Sequence, residues 1–315
     1  MTRAEAELAA LAAALARGEK GALARALARL ERDPDGAEVL ALLDAAWQAP
    51  MAQVIGLTGP PGVGKSTLTG ALITAFRGQG RRVAVIAVDP SSRRSGGALL
   101  GDRVRLATDP EDMGIFVRSM AARDRLGGLA DLSIAAMVLM RALYDIVLLE
   151  TVGVGQSETD VAGAADTVVF CVQPGSGDSL QFMKAGILEI PHIVVVTKAD
   201  MGAVAQRAQA DVAGALGLAD ETDGWEVPVL ALSAARREGL SDLLAALDRR
   251  ARYLEAENRL IRQRDAQALD WLTAAVLDRF GRDGVRRAGR LTLAPQEPPF
   301  HRLGLVLAGL ARAAP

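Results

Sequence analysis

Val54-Ile-Gly-Leu-Thr58, running straight into Gly59-Pro-Pro-Gly-Val-Gly-Lys-Ser-Thr67, is the stretch that decides the fold of this chain. The first five residues read as a buried strand, the next eight match Gly-x-x-x-x-Gly-Lys-Ser/Thr in full, and Ser66 to Gln79 reads as a helix. Strand, glycine-rich turn and helix in that order make a phosphate-binding loop. Gly59, Gly62 and Gly64 let the backbone wrap an anion with its N–H groups inward, which side chains at those positions would obstruct. The helix N-terminus adds a partial positive charge. Lys65 supplies a compact charge on a flexible stem for the β- and γ-phosphates, and Ser66 a hydroxyl for Mg2+. Gly59, Pro60, Pro61, Gly62, Val63, Gly64, Lys65, Ser66 and Thr67 are therefore expected to contact nucleotide, with Lys65 also catalytic. Of the 36 basic residues only four are lysine, so Lys65 and Lys198 stand where arginine has taken over almost everywhere else.

Downstream, the apolar run His192-Ile-Val-Val-Val-Thr197 leads into Thr197-Lys198-Ala199-Asp200, a variant of the Asn-Lys-x-Asp guanine motif. A carboxylate at Asp200 accepts from the N1–H and exocyclic amine of guanine, whereas adenine offers no such donor pair. The Lys198 stem covers the base plane. Thr197 keeps one hydroxyl but lacks the second function of an amide, so this loop is expected to be held less firmly. A further strand, Val227-Pro-Val-Leu-Ala-Leu232, ends in Ser233, Ala234 and Ala235, where a backbone N–H suits the guanine O6. Alone, Thr-Lys-Ala-Asp also reads as an ordinary strand-to-helix turn; its position after the phosphate loop favours the guanine reading.

Two other apolar runs end in acids. Arg82-Val-Ala-Val-Ile-Ala-Val88 stops at Asp89, and Tyr144-Asp-Ile-Val-Leu-Leu149 stops at Glu150-Thr-Val-Gly153. Ligands gather at the carboxyl ends of strands in doubly wound sheets, so Asp89 and Glu150, with Ser66, are assigned to Mg2+ or its waters; capping of the loops is the alternative. The Gly153 N–H is placed near the γ-phosphate, which would order its loop with the triphosphate. Val154 follows where Ras-type switches carry a water-orienting Gln, so slow unaided turnover is expected.

Val88-Asp-Pro-Ser-Ser92, Gly96-Gly97 through Leu100-Gly-Asp102, Leu126-Gly-Gly128, Glu150-Thr-Val-Gly-Val-Gly-Gln-Ser-Glu158 and Gln173-Pro-Gly-Ser-Gly-Asp178 resemble the MeaB/ArgK family. The resemblance covers residues 50 to 245, and the nonapeptide from Glu150 is its most specific part. It implies a GTPase that acts as G-protein chaperone of an adenosylcobalamin-dependent acyl-CoA mutase of the methylmalonyl-CoA mutase type, with GTP or GDP and Mg2+ as ligands. It further implies that Gly175 to Gly186 is an extra switch loop facing the mutase, in which Asp178 and Lys184 relay nucleotide state together with Glu150, or form a solvated pair. Asp102 becomes a catalytic candidate for positioning the attacking water. C-terminal arms in this family dimerise, so a homodimer is expected, although the apolar tail also suits packing within the chain. Thr197, Pro191-His192 and Ala122-Arg-Asp-Arg125 depart from the family pattern, which marks a divergent member. No Asp-x-His-x-x-Gly motif occurs, so no direct cobalamin site is evident and any link to cobalamin runs through the partner.

The whole chain bounds these readings. Its 315 residues fit an α/β P-loop NTPase, a doubly wound, mainly parallel sheet of about seven strands, near 52–58, 82–88, 113–118, 145–149, 166–172, 192–197 and 227–232. Residues 1–49 are expected as a helical extension, a hairpin broken at Asp33-Pro-Asp-Gly36; 50–250 as the G domain; and 251–315 as a C-terminal helical extension, its last helix being His301 to Arg312. A net charge of -2 supplies no basic field for nucleic acid. One cysteine, Cys171, precludes an internal disulfide, and no run is long enough for a membrane span, so a cytoplasmic protein is expected. Three other functions compete. A nickel-delivery GTPase of similar fold would need more ligands than two histidines and one cysteine. An ATPase or kinase, the role given to ArgK-like proteins in arginine transport, is disfavoured by Asp200. A nucleotide-binding adaptor with negligible hydrolysis is compatible with Val154.

Overall fold

The computed structural model describes residues 3–90, 109, 111–122, 131–151, 160–175, 190–217 and 224–312. Seven strands form one sheet: β1 (Gln53–Thr58), β2 (Val83–Pro90), β3 (Ile115–Ala122), β4 (Ile146–Glu150), β5 (Thr167–Val172), β6 (Ile193–Val196) and β7 (Val229–Ala231). Their order is β3-β2-β4-β1-β5-β6-β7, and every neighbouring pair is parallel. The described helices are α1 (Arg3–Ala16), α2 (Lys20–Arg32), α3 (Ala37–Gln48), α4 (Lys65–Gly78), α5 (Asp131–Arg141), α6 (Ala203–Leu216), α7 (Leu240–Glu255), α8 (Arg259–Ala288) and α9 (Pro299–Arg312). The chain divides into two compact units, a sheet unit of Gln53–Ala130 with Ile146–Ala256, and a helical unit of Met1–Ala52, Asp131–Asp145 and Glu257–Pro315.

In the sheet unit the central strands β1, β4, β5 and β6 read as apolar runs because both faces are covered. Alternation sends Val169 and Cys171 of β5 and Ile193 and Val195 of β6 to one face. There they join Ile55, Leu57, Ile146 and Leu148 under Leu68, Leu72 and Phe76 of α4 and Leu243 and Leu247 of α7. The intervening Phe170, Val172 and Val194 face the other way, against Val212 of α6, and Val196 meets Ala205 and Ala208 of the same helix. Helices on both sides of a parallel sheet define the doubly wound arrangement. Because β1 is followed in sequence by β2 but lies between β4 and β5, its carboxyl end sits where the winding reverses, the usual place for a ligand.

The helical unit buries Leu272, Ala275 and Val276 of α8 against Leu303 and Leu310 of α9. The expected N-terminal hairpin is instead three helices. Gly18, at φ 71°, ends α1: its N–H donates to Leu15 and that of Glu19 to Ala14, closing the helix in a Schellman turn. The alanine- and leucine-rich pattern continues through this break, so Gly18 was the sole local mark of it. α9 begins at Pro299 rather than His301, as suits proline in a first helical turn. Among the described residues no helix is long and apolar enough to cross a membrane.

Candidate functional site

Register positions the first half of the site. Leu57 of β1 pairs with Glu150 of β4, so the chain leaving β1 begins its turn one strand away from that carboxylate. Gly59 has φ 134°, and a Cβ there would run into the carbonyl oxygen of Cys171 on β5, so only glycine fits. Gly64, at φ 105°, is the left-handed residue from which α4 starts. The turn encloses a cavity of about 460 Å3 lined by Pro61, Gly62, Gly64, Lys65, Ser66 and Thr67, with Ala87 and Val88 of β2 and Glu150 and Thr151 at the end of β4.

Lys65 is buried, and its Nζ donates to the carbonyls of Gly59 at 2.7 Å and Pro60 at 2.9 Å. A buried ammonium lining the cavity is well placed to be drawn to an anion entering it. Ser66 Oγ donates to Glu150 Oε1 at 2.6 Å, and Thr69 Oγ1 lies 2.7 Å from Glu150 Oε2. A hydroxyl and a carboxylate are hard oxygen donors, and Mg2+ is commonly bound by one or two such protein groups with substrate phosphates completing its shell. The Ser66 and Glu150 pair therefore fits that ion. Among the described residues no group of three or more His, Cys, Asp or Glu side chains forms a metal cluster. Cys171 lies fully buried behind the loop, where burial pushes its thiol up to about 12, with Lys65 pulling it down and Glu150 up. A thiol so placed stays protonated and unreactive.

The second half lies beyond β6. Thr197 is buried, with Oγ1 2.7 Å from the Val63 carbonyl and 3.1 Å from that of Val172. The one hydroxyl that Thr197 keeps ties the segment after β6 directly to the phosphate loop. Lys198 adopts φ 53°, and its Nζ donates to Gln173 Oε1 at 2.8 Å and to the Gly62 carbonyl at 3.3 Å, a second tie between the two segments. Asp200 is exposed; the Ser233 hydroxyl, its own backbone N–H, and the charges of Arg236 and Lys198 hold its carboxyl below the usual range. It is thus ionised and acceptor-only at neutral pH. The Ala199 N–H donates to Leu232, and the Ser233 N–H to Glu238, so the Ser233 amide is already committed. Of the three residues expected to meet the guanine O6, Ser233 thus has its amide engaged within the chain.

The structure thus brings the Gly59–Thr67 loop and Glu150 together at one cavity, and Lys198, Asp200 and Ser233 together beside it. Asp89 lies at the penultimate position of β2, paired with Ala121, and its side chain is outside the described atoms. Asp102, Gly153, Asp178 and Lys184 lie outside the described residues. Two partners escaped the sequence reading. Thr69 sits one helical turn past Lys65 in a position that reads as helix interior, and Gln173 was visible only as part of a family segment with no role attached.

A parallel sheet carrying this phosphate loop is a P-loop fold, and the family and relatives that this chain matches make it a GTPase. It belongs to the MeaB family: the family model described as "Methylmalonyl Co-A mutase-associated GTPase MeaB" matches residues 23–286. A putative GTPase of Pyrococcus abyssi is 44% identical over 220 residues, which cover 68% of this chain and 67% of that one. The mitochondrial methylmalonic aciduria type A homolog of Mus musculus is 38% identical over 227 residues, 71% of this chain and 55% of that one. The crystal structure of a LAO/AO transport system kinase superposes with a TM-score of 0.71 at 29% identity, covering 98% of this chain and 97% of that one.

Proposed function

We propose that this GTPase chaperones an adenosylcobalamin-dependent acyl-CoA mutase of the methylmalonyl-CoA mutase type, its nucleotide state gating loading or protection of the mutase's cofactor. The carrying observation is the hydrogen-bonded seam from Thr197 and Lys198 to Val63 and Gly62, which fastens the loop after β6 to the phosphate loop. One ligand spanning both, a guanosine phosphate, answers that seam. The mutase assignment is supported by the family description and by the mouse relative.

In this reading the amides of the Gly59–Thr67 loop and the N-terminus of α4 hold the phosphates, and Lys65 exchanges its two carbonyl acceptors for β- and γ-phosphate oxygens. Ser66 and Glu150, with Asp89, would hold Mg2+, which when bound neutralises charge building on the phosphates. Asp200 accepts from guanine, Lys198 covers the base, and the amides of Ala234 and Ala235 meet O6. Gly153 contacts the γ-phosphate, Asp102 positions the attacking water, and Asp178 and Lys184 pass nucleotide state to the mutase. Turnover is slow without the partner because Val154 cannot orient water. The protein works in the cytoplasm as a homodimer.

Immobilised protein exposed to native lysate with a non-hydrolysable GTP analogue, with GDP, or without nucleotide, tests this. An acyl-CoA mutase retained in a nucleotide-dependent manner is the expected outcome. Its absence in all three conditions would favour an adaptor of another kind.

A further inference from the structure

Both oxygens of Glu150 are gripped by one face of α4. Ser66 Oγ meets Oε1 at 2.6 Å and Thr69 Oγ1 meets Oε2 at 2.7 Å. Positions three apart share a helix face, so the two hydroxyls make a clamp whose spacing suits a carboxylate arriving from the end of β4. Both lengths are within the range of a hydroxyl donating to a carboxyl oxygen. Thr69 is fully buried, and its single hydroxyl proton lies between Glu150 Oε2 at 2.7 Å and the Lys65 carbonyl, one turn earlier, at 3.0 Å. Ser66 and Glu150 line the cavity, whereas Thr69 does not. Anything Thr69 does to a ligand therefore passes through Glu150.

We propose that Thr69 is a positioning residue for the Mg2+ site: by donating to Oε2 it fixes the plane of the Glu150 carboxylate so that Oε1 and the Ser66 hydroxyl meet the ion in one orientation. The terminal torsion of a glutamate has a broad, roughly two-fold preference and sets no such orientation by itself. Ser66 holds one oxygen and the Thr69 hydroxyl holds the other. The inference rests on reading Ser66 and Glu150 as the pair that holds the metal.

The test is the affinity for a fluorescent GDP analogue measured across an Mg2+ titration and again in EDTA, for wild type, Thr69→Val, Thr69→Ser and Ser66→Ala. Valine keeps the shape of threonine and removes the donor. The Mg2+ concentration for half-maximal tightening should rise in Thr69→Val on the order of tenfold to a hundredfold, the usual effect of losing a partner behind a metal ligand. Affinity in EDTA should match wild type, and Thr69→Ser should restore the titration. A Thr69→Val titration like wild type, with Ser66→Ala shifted, overturns the positioning role and leaves the metal site standing. No shift in either variant overturns the metal assignment and the inference with it. An equal loss with and without Mg2+, or no rescue by serine, would mean that Thr69 supports packing alone and refute the proposal. Thr69→Ala takes the place of the valine variant in the same comparison if the latter does not fold.

Discussion

Replacing Thr197 by valine measures the seam between the two halves of the site. The side chain is 4% exposed, so valine fills the same space and adds no cavity. The Val172 carbonyl keeps the Thr197 backbone N–H at 2.8 Å, so only the hydroxyl bonds vanish, chiefly the one to Val63 at 2.7 Å. Removing the partner of a buried acceptor costs about 1–3 kcal/mol. Taking about 2 kcal/mol, and 2–4 °C per kcal/mol for a folding unit of roughly 150–250 residues, the melting temperature should fall by about 4–8 °C. Calorimetry of the nucleotide-free protein, with urea melts as a check, measures this. Thr197→Ser should retain most of the stability. A valine variant within about 0.5 kcal/mol of wild type would mean that the hydroxyl contributes no more than an ordinary surface contact, and the argument for the seam would fail.

Other expectations are as direct. Asp200→Ala should abolish the preference for guanosine over adenosine nucleotides in competition binding, and an unchanged preference would remove the basis for base recognition by this carboxylate. Gly59→Ala should destroy tight triphosphate binding, because its Cβ would collide with the Cys171 carbonyl at a positive φ; an alanine variant with wild-type affinity would show that the loop has room. His192 accepts the Val168 N–H at Nδ1, 2.9 Å away, and burial, with the Arg250 charge second, pushes its pKa down to about 3. An unfolded imidazole titrates near 6.5, so the unfolded chain takes the proton first as pH falls. The contribution of neutral His192 is complete above pH 6.5 and is lost on descending toward 3, by up to about 1.4 kcal/mol per unit. Wild type should lose more stability than His192→Asn between pH 7 and pH 4.5, and equal losses in denaturant melts would contradict this.

The guanine loop shows where sequence reading is strong and where it stops. Thr197-Lys-Ala-Asp200 could be matched by residue type, and the absence of an amide at Thr197 suggested slack. That conclusion treated residue 197 in isolation from what surrounds it. Folding brings Val63, 134 positions away in sequence, to within a hydrogen bond of the hydroxyl, a partner that residue type alone does not name. Glu150 is similar: its place at a strand end was legible, whereas its grip by Ser66 and Thr69 needed α4 and β4 to be neighbours in space. The N-terminal break at Gly18 rests on one glycine at positive φ between stretches of strong helical periodicity, which by themselves read as one helix.

What the amino-acid sequence determined by itself was the phosphate loop, the presence of seven strands and the class of nucleotide. Each depends on short-range chemistry: glycine's freedom at positive φ, the reach of one lysine, and apolar runs that a two-sided sheet demands. Only the tertiary structure decided the order β3-β2-β4-β1-β5-β6-β7, and with it the meeting of Glu150 with Thr69 and of Lys198 with Gln173. Strands of nearly uniform apolar composition carry little information about their neighbours. Their pairing is fixed by how helices and crossovers pack together, and the side chains at their ends acquire partners only once that packing is complete.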